Sequence, residues 1–220
     1  MNVRKKGLFC VVEGMDGAGK TTALQVLSDW IQGTTPVVEE ARSAIDRLRS
    51  RTVVFLREPT SLETGLEIRR RLSSDEPTEF RDWIRLFRAD REANLQTFVR
   101  PSLSRGEIVV QDRYLYSTAA YQGAFADIGP KGVLAEFADF PSPDLLIFLD
   151  IDEKTAFARM QARSGDREVF ERPDRWRRIR DAYREVLPAN AVIIDTALPV
   201  QVVAGQVAAA LAQHVMTESN

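Results

Sequence analysis

The chain has 220 residues, of which 44% are hydrophobic and 28% charged, a composition typical of a single globular domain. The net charge is −2 and no apolar stretch reaches about 18 residues, so neither a nucleic-acid partner nor a membrane partner is expected. The one cysteine, Cys10, excludes internal disulfides and metal sites built from paired cysteines, and a reducing cytoplasm is the expected compartment.

Short apolar runs alternate with helical patterns along the chain, as in a parallel sheet built from βαβ units. The runs are continuously apolar, which is typical of strands that are covered on both faces. The predicted strands are Leu8–Val12, Thr52–Leu56, Ile108–Gln111, Leu145–Leu149 and Val192–Ile194. The predicted helices are Lys20–Ile31, Leu62–Leu72, Thr78–Arg100, Ser117–Phe125, Lys131–Ala138, Glu153–Arg163, Asp174–Leu187 and Pro199–His214.

No linker is long enough to divide the chain, so residues 1–220 are expected to form one domain. Two stretches interrupt the alternation of strands and helices. Residues 33–51 carry mixed charge and are expected to form a surface insertion with some helix. Residues 164–173 are polar and arginine-rich between two predicted helices, as expected of a mobile lid.

The strongest motif is G-x-x-x-x-G-K-[ST], which Gly14 to Thr21 satisfy between a predicted strand and a predicted helix. Its glycines permit a tight turn whose N–H groups point at phosphate oxygens, and the helix adds its positive dipole end. Lys20 is expected to reach the β- and γ-phosphates, and the Thr21 hydroxyl to bind Mg²⁺. The predicted ATP-binding residues are Gly14, Gly17, Ala18, Gly19, Lys20, Thr21 and Thr22.

The predicted fold is an α/β three-layer sandwich of the P-loop NTPase type, with a five-stranded parallel sheet flanked by helices and a short lid. A P-loop alone indicates only a nucleoside triphosphate binder. The N-K-x-D tetrapeptide of switch GTPases is absent, and a motor or AAA-type ATPase needs more chain. On size, a shikimate-like or nucleoside kinase stays open.

Seven sequence blocks are spread over nearly the whole chain. They are E-G-M-D-G-A-G-K-T-T at 13–22, R-E-P-T at 57–60, L-F-R-A-D-R at 86–91, D-R-Y at 112–114 with S-T-A-A-Y-Q-G at 117–123, P-D-L at 143–145, R-I-R-D-A-Y at 178–183 and I-D-T at 194–196. In composition and in order, these blocks resemble those of the thymidylate kinase family. The resemblance implies ATP- and Mg²⁺-dependent phosphorylation of dTMP to dTDP by a homodimer.

The arginines and carboxylates of these blocks are the candidate catalytic groups. Arg57 and Arg113 each follow a predicted strand, where open α/β sheets bind ligands. By the resemblance, Arg91 and Arg113 grip the acceptor phosphate. An acceptor that is already a phosphate monoester needs cations that hold two anions together, rather than a general base.

Asp112 ends an apolar run, where a P-loop enzyme places the carboxylate that orients Mg²⁺, and Asp150 is a rival at the end of a similar run. Asp16 and Glu58 resemble the family's acidic residues near the acceptor. A carboxylate inside a phosphate loop repels ATP unless it has a cation or a hydroxyl donor as its partner, so Asp16 is expected to have one.

The remaining substrate-binding candidates come from the resemblance. Phe87 is expected to stack on a pyrimidine and Thr118 to bond the base edge, while Tyr121 lies under the sugar and disfavours a 2′-hydroxyl. Gln122 belongs to the same block. Some family members carry a catalytic arginine in the loop position that is Gly17 here, so a lid arginine, Arg163 or Arg167, is expected to clamp the transferred phosphoryl.

Two features depart from the family pattern. Pro59 is followed by Thr60-Ser61-Leu62 rather than by a Gly-Gly-Thr turn, and the stretch 33–51 is longer than expected. Three alternatives to a thymidylate kinase therefore stay open. They are another deoxynucleoside-monophosphate kinase, a deoxynucleoside kinase with Glu58 as its base, and a non-catalytic nucleotide-sensing module.

Overall fold

The computed structural model describes residues 6–74, 77–162 and 172–217. Within these residues, five parallel strands form one sheet in the order β2-β3-β1-β4-β5. The strands are β1 Leu8–Gly14, β2 Val53–Arg57, β3 Ile108–Asp112, β4 Leu145–Asp150 and β5 Val192–Asp195. The predicted five-stranded parallel sheet is confirmed, and each strand matches its predicted range to within two residues.

Helices cover both faces of the sheet. They are α1 Lys20–Gln32, α2 Glu39–Leu48, α3 Glu63–Leu72, α4 Phe80–Asn94, α5 Arg100–Ser104, α6 Leu115–Gly123, α7 Gly129–Ala135, α8 Glu153–Gln161, α9 Pro173–Val186 and α10 Val200–Thr217. Successive side chains of β1 enter two separate cores, Cys10 and Val12 on one face and Phe9 and Val11 on the other. The sheet is therefore the middle of three layers.

Residues 33–51 contain α2, which packs against α10. Ala41, Ile45 and Leu48 are fully buried, whereas Glu39 and Arg42 on the opposite side are exposed. Apolar residues at this spacing share one helix face. The apolar face of α2 therefore belongs to the core, and its charged face to the surface.

Most helix ends differ from the predicted ones by one to three residues, and the largest difference is in the helix predicted over 78–100. The helix predicted over 78–100 is interrupted by a π-helical turn, Leu95–Val99, just before Pro101 in α5. Proline has no N–H for a carbonyl one turn earlier, so a regular helix does not continue through it. Helix α6 begins at Leu115 rather than Ser117. Among the described residues, no helix combines the length and the apolarity that crossing a membrane requires.

Candidate active site

The glycine-rich loop follows β1 at the carboxyl edge of the sheet and leads into α1. The Lys20 ammonium donates to the carbonyl oxygens of Gly14 at 2.7 Å and Met15 at 3.0 Å, and the side chain is buried. Burial, together with the nearby positive charge of Arg113, lowers the pKa of Lys20 to about 8. The Lys20 side chain therefore lies across the loop, and its ammonium group loses a proton more readily than that of an exposed lysine.

Gly17 has a φ of 84°, in the left-handed region, and a Cβ there would lie 2.8 Å from the backbone oxygen of Ala156. Both the conformation and the space therefore require glycine. The arginine that some family members carry at this position does not fit this loop without displacing α8.

Two cavities meet at the loop. One, of 330 Å³, is lined by Asp16, Arg57, Glu58, Pro59, Arg69, Leu72, Ser73, Phe87, Arg91, Arg113, Tyr114, Ser117, Thr118, Tyr121 and Gln122. The other, of 300 Å³, is lined by Gly17, Ala18, Gly19, Thr22, Ala23, Arg159, Ala162, Thr196, Leu198, Val200 and Val203. We call them the acceptor cavity and the donor cavity. Neighbouring residues of one loop, Asp16 and Gly17, thus line different cavities.

Asp16 has both kinds of partner that a carboxylate in a phosphate loop requires. Its Oδ1 accepts from the Arg113 guanidinium, and its Oδ2 accepts from the Tyr121 hydroxyl at 2.6 Å. Burial alone would raise the pKa of Asp16, but Arg113, Lys20 and the Tyr121 hydrogen bond outweigh it and hold the pKa below its ordinary value. Asp16 is therefore an ionised carboxylate at neutral pH.

Arg113 follows β3 with a φ of 67°, a conformation that side-chain-bearing residues seldom adopt. Its guanidinium donates to Ser117 Oγ at 3.2 Å and lies over the Tyr121 ring at 5.0 Å. Burial opposes the charged form, but Tyr121 and Asp16 raise the pKa of Arg113 well above its ordinary value. Arg113 is thus a permanent cation on the wall of the acceptor cavity.

Arg91 is fully buried in α4, with only 1% of its side chain exposed. Its Nε and Nη2 donate to Glu58 Oε2 at 3.0 and 2.8 Å, and Nη2 also donates to Thr118 Oγ1 at 3.1 Å. Its Nη1 is buried without a hydrogen-bond partner among the described residues. Burial raises the pKa of Glu58, and the positive charge of Arg91 and the amide of Asn94 oppose the rise.

The two rival carboxylates differ in their surroundings. Asp112 is buried, its Oδ1 has no hydrogen-bond partner among the described residues, and its Oδ2 lies 3.7 Å from Arg57 Nε. The Asp150 side chain is 38% exposed and pairs with Arg180 at 3.5 Å. Of the two carboxylates, Asp112 is therefore the one with a buried oxygen that still lacks a partner within the described part of the chain. Thr21, the other metal-ligand candidate, is exposed in the first turn of α1.

The residues predicted to recognise the base and sugar all lie along the acceptor cavity. Phe87 stacks on Trp83 at 6.0 Å between ring centroids and is half-buried. Thr118 is buried, and Tyr121 and Gln122 are partly exposed on the next turn of α6. Arg163 and Arg167, and residues 164–171 of the predicted lid, lie outside the described residues.

Glu13 is a functional candidate that the sequence analysis did not single out. Its Oε1 accepts from the backbone N–H groups of Tyr114 and Ser117 at 2.9 and 3.0 Å, and its Oε2 accepts from the hydroxyls of Ser117 and Tyr183. Glu13 therefore caps the start of α6 from a different strand. In the sequence, a carboxylate at the end of an otherwise apolar strand could have indicated this role.

Arg159 was also missed. It lies on α8, lines the donor cavity and donates to the Thr196 carbonyl at 2.6 Å. Its guanidinium lies 3.6 Å from the position that a Cβ on Gly19 would take, so it closes the cavity beside the loop. In the sequence it was one arginine among many in a helix, with no motif around it.

A parallel sheet with a phosphate loop at its switch point and a second, arginine-lined cavity facing the same loop defines a P-loop phosphotransferase. The family model for thymidylate kinase matches residues 12–207. The chain is 38% identical to a thymidylate kinase of Leifsonia xyli over 92% of this chain and 93% of that one. It is 34% identical to a thymidylate kinase of Leptospira borgpetersenii over 87% and 86% of the two chains.

A thymidylate kinase of Xanthomonas euvesicatoria is also similar, at 34% identity over 88% of this chain and 78% of that one. The chain belongs to the thymidylate kinase family. The resemblance noted from the sequence blocks is confirmed.

Proposed function

We propose that this protein transfers the γ-phosphoryl group of ATP to dTMP, giving ADP and dTDP. The observation that carries the proposal is the pair of cavities on either side of one phosphate loop, with the Arg91 and Arg113 guanidinium groups on the acceptor side. Two anionic nucleotides bound in this way have their phosphates brought together at the loop.

Positioning and charge stabilisation account for the chemistry. The acceptor phosphate oxygen of dTMP is itself the nucleophile, so no side chain has to remove a proton. Lys20 is proposed to follow the γ-phosphoryl during transfer, because its hydrogen bonds within the described residues are to two loop carbonyls, which a phosphate can replace. Asp16 carries a compensated charge and so does not repel the donor phosphates.

Arg91 and Arg113 are proposed to hold the acceptor phosphate. A buried guanidinium N–H without a partner is costly unless a ligand completes it, and Nη1 of Arg91 is such a group in a residue that lines the acceptor cavity. Guanidinium groups suit phosphate because their donors form a planar fork. Arg57, half-exposed at the end of β2, is proposed to join them when the nucleotide binds.

Mg²⁺ is proposed to bind with ATP, held by the Thr21 hydroxyl and oriented by Asp112. The partnerless buried Oδ1 of Asp112 and the hard oxygen donors of both residues fit this ion. The described residues contain no cluster of three or more histidine, cysteine or acidic side chains that would hold a metal without a nucleotide. When bound, Mg²⁺ would neutralise charge on the transferred phosphoryl.

The base and sugar are proposed to lie along α4 and α6. Phe87 offers a half-buried ring for stacking, a contact worth about 1–3 kcal/mol in single-strand readers. Thr118, Tyr121 and Gln122 line the same cavity. Thr118 and Gln122 are proposed to supply hydrogen bonds, and the Tyr121 ring is proposed to leave no room for a 2′-hydroxyl. A lid arginine, Arg163 or Arg167, stays a prediction for the clamp on the phosphoryl.

We further propose a homodimer. Strand β2 is at the edge of the sheet, its apolar residues Val53–Leu56 are only partly buried, and Leu66 on the following helix is 56% exposed. A surface of this kind favours a protein partner. Light scattering at micromolar concentration tests the proposal, since a monomer mass would contradict it. The cytoplasmic location stays a prediction from the single cysteine.

The assay that tests the function couples ADP formation to NADH oxidation, with ATP, Mg²⁺ and each nucleoside monophosphate in turn, and with thymidine. We expect turnover with dTMP above all others. Turnover of thymidine but not dTMP would instead indicate a deoxynucleoside kinase. Binding of ATP with no turnover of any acceptor would indicate a nucleotide-sensing module.

A further inference from the structure

A continuous line of hydrogen bonds, buried except at its last step, joins the Arg91 side chain to the Arg113 backbone. Arg91 donates twice to Glu58 Oε2, and Asn94 Nδ2 donates to Glu58 Oε1 at 3.0 Å. The same Asn94 Nδ2 donates to Gln111 Oε1 at 3.0 Å, and Gln111 Nε2 donates to the backbone oxygen of Arg113 at 3.0 Å. We call Glu58, Asn94 and Gln111 the buried bridge.

The two amides of the buried bridge are in places that normally hold apolar side chains. Gln111 lies in β3 between Val110 and Asp112, and Asn94 is the last residue of α4, and both are buried. Burying an amide costs free energy unless its groups are bonded, whereas an apolar side chain of similar size fills the same space without that cost. A fully bonded buried network fixes one arrangement of its members.

The arrangement matters most at Arg113. Its φ of 67° is seldom adopted by a residue with a side chain, so its neighbours must hold it there. Its N–H donates to the Val12 carbonyl at 3.0 Å, and its own carbonyl accepts from Gln111. These two bonds fix the peptide groups on both sides of Arg113, and so determine the direction in which its side chain leaves β3.

We propose that Asn94 and Gln111 are positioning residues that fix the spacing of the Arg91 and Arg113 guanidinium groups for an acceptor phosphate. The proposal rests on the function given above. Neither amide is among the residues that line the acceptor or the donor cavity, so each acts through the arginines. The bridge links the Arg91 side chain to the Arg113 backbone, which preorganises a two-arginine site before the nucleotide arrives.

The test compares Gln111→Met and Asn94→Leu, which keep the approximate volume and remove the hydrogen bonds, with the wild type. The control is Ser102→Ala, which removes a buried hydroxyl from α5, away from both cavities. Steady-state kinetics are measured with dTMP and ATP varied separately, and the melting temperature checks folding. We expect KM for dTMP to rise about tenfold in each bridge variant and kcat to fall, with KM for ATP unchanged.

A purely structural role would lower the melting temperature of the bridge variants, as in the control, without moving KM for dTMP or kcat, and that result overturns the proposal. If Gln111→Met does not fold, Asn94→Leu decides the outcome, because it removes both hydrogen bonds that Asn94 makes within the buried bridge. If the wild type phosphorylates no monophosphate, the proposed function fails, and a crystal structure of the Gln111 variant decides the bridge. A displaced Arg113 guanidinium supports it, and an unmoved one contradicts it.

Discussion

The carboxylate of Asp16 and the guanidinium of Arg113 are in direct contact, although 97 residues separate them in the chain. The contact joins the phosphate loop after β1 to the turn after β3, the two turns at which the acceptor cavity opens. Asp16 thereby has its negative charge compensated before ATP binds. Arg113 in turn is held as a cation on the acceptor side.

Replacing Asp16 by Asn tests how much this contact contributes to the free energy of unfolding. Because the folded-state pKa of Asp16 is depressed, its contribution is present above the unfolded value near 3.8 and is lost as pH falls through the folded value. We expect the variant to be less stable by about 1–3 kcal/mol at pH 7. Denaturant unfolding measures the difference, which should shrink below pH 3.8; a difference that does not depend on pH would contradict the assignment.

The loss of the Lys20 proton should lower the activity of the enzyme at alkaline pH. Its pKa of about 8 means that it is charged below that pH and neutral above it, so its attraction for the ATP phosphates weakens as pH rises. We expect kcat/KM for ATP, which reports the free enzyme, to fall above about pH 8. Lys20→Arg stays charged throughout this range and should show lower activity without the alkaline fall.

Arg91 and Glu58 form a buried ion pair whose partners can be removed singly or together. Arg91→Met leaves the Glu58 carboxylate buried without its cation, and we expect a loss of about 3–5 kcal/mol in the free energy of unfolding. Adding Glu58→Gln should restore most of that stability but none of the turnover of dTMP. Full activity in the double variant would show that the Arg91 guanidinium does not bind the acceptor.

The hydroxyl of Tyr121 should affect the stability of the protein, and its ring should affect the preference for deoxyribose. The hydroxyl donates to Asp16 Oδ2 at 2.6 Å, so Tyr121→Phe should lower the free energy of unfolding by about 1.5–3 kcal/mol, the value of a hydrogen bond to a charged group. The preference for deoxyribose over ribose should survive in Tyr121→Phe and be reduced in Tyr121→Ala. Denaturant unfolding measures the effect of the hydroxyl, and kinetics with dTMP and its ribose counterpart measure the effect of the ring. Equal preference in all three proteins would remove the ring from this role.

The strands were predictable because parallel strands buried on both faces are continuously apolar, as in Ile108-Val109-Val110. The phosphate loop was predictable because glycine, lysine and threonine spacing determines its geometry locally. The start of α6 was not, since its cap comes from Glu13, about a hundred residues earlier in the chain. A cap supplied by another strand leaves no signal next to the helix.

The polar interior of the site was the least predictable part. Asn94 and Gln111 carry no motif, and only the packing of α4 against β3 makes their amides meet. Similarly, the apolar face of α2 was present at residues 41, 45 and 48, but the mixed charge of the segment masked it. Side-chain hydrogen bonds between distant elements depend on tertiary contacts that spacing in the sequence does not encode.

We infer that one phosphate loop and two arginines, Arg91 and Arg113, hold two nucleotides with their phosphates facing each other. A crystal structure with dTMP and a non-hydrolysable ATP analogue tests it most directly. We expect the dTMP phosphate within hydrogen-bond distance of Arg91 Nη1 and of the Arg113 guanidinium, with the analogue in the donor cavity. A dTMP phosphate bound elsewhere, with both arginines contacting only Glu58 and Asp16, would contradict it.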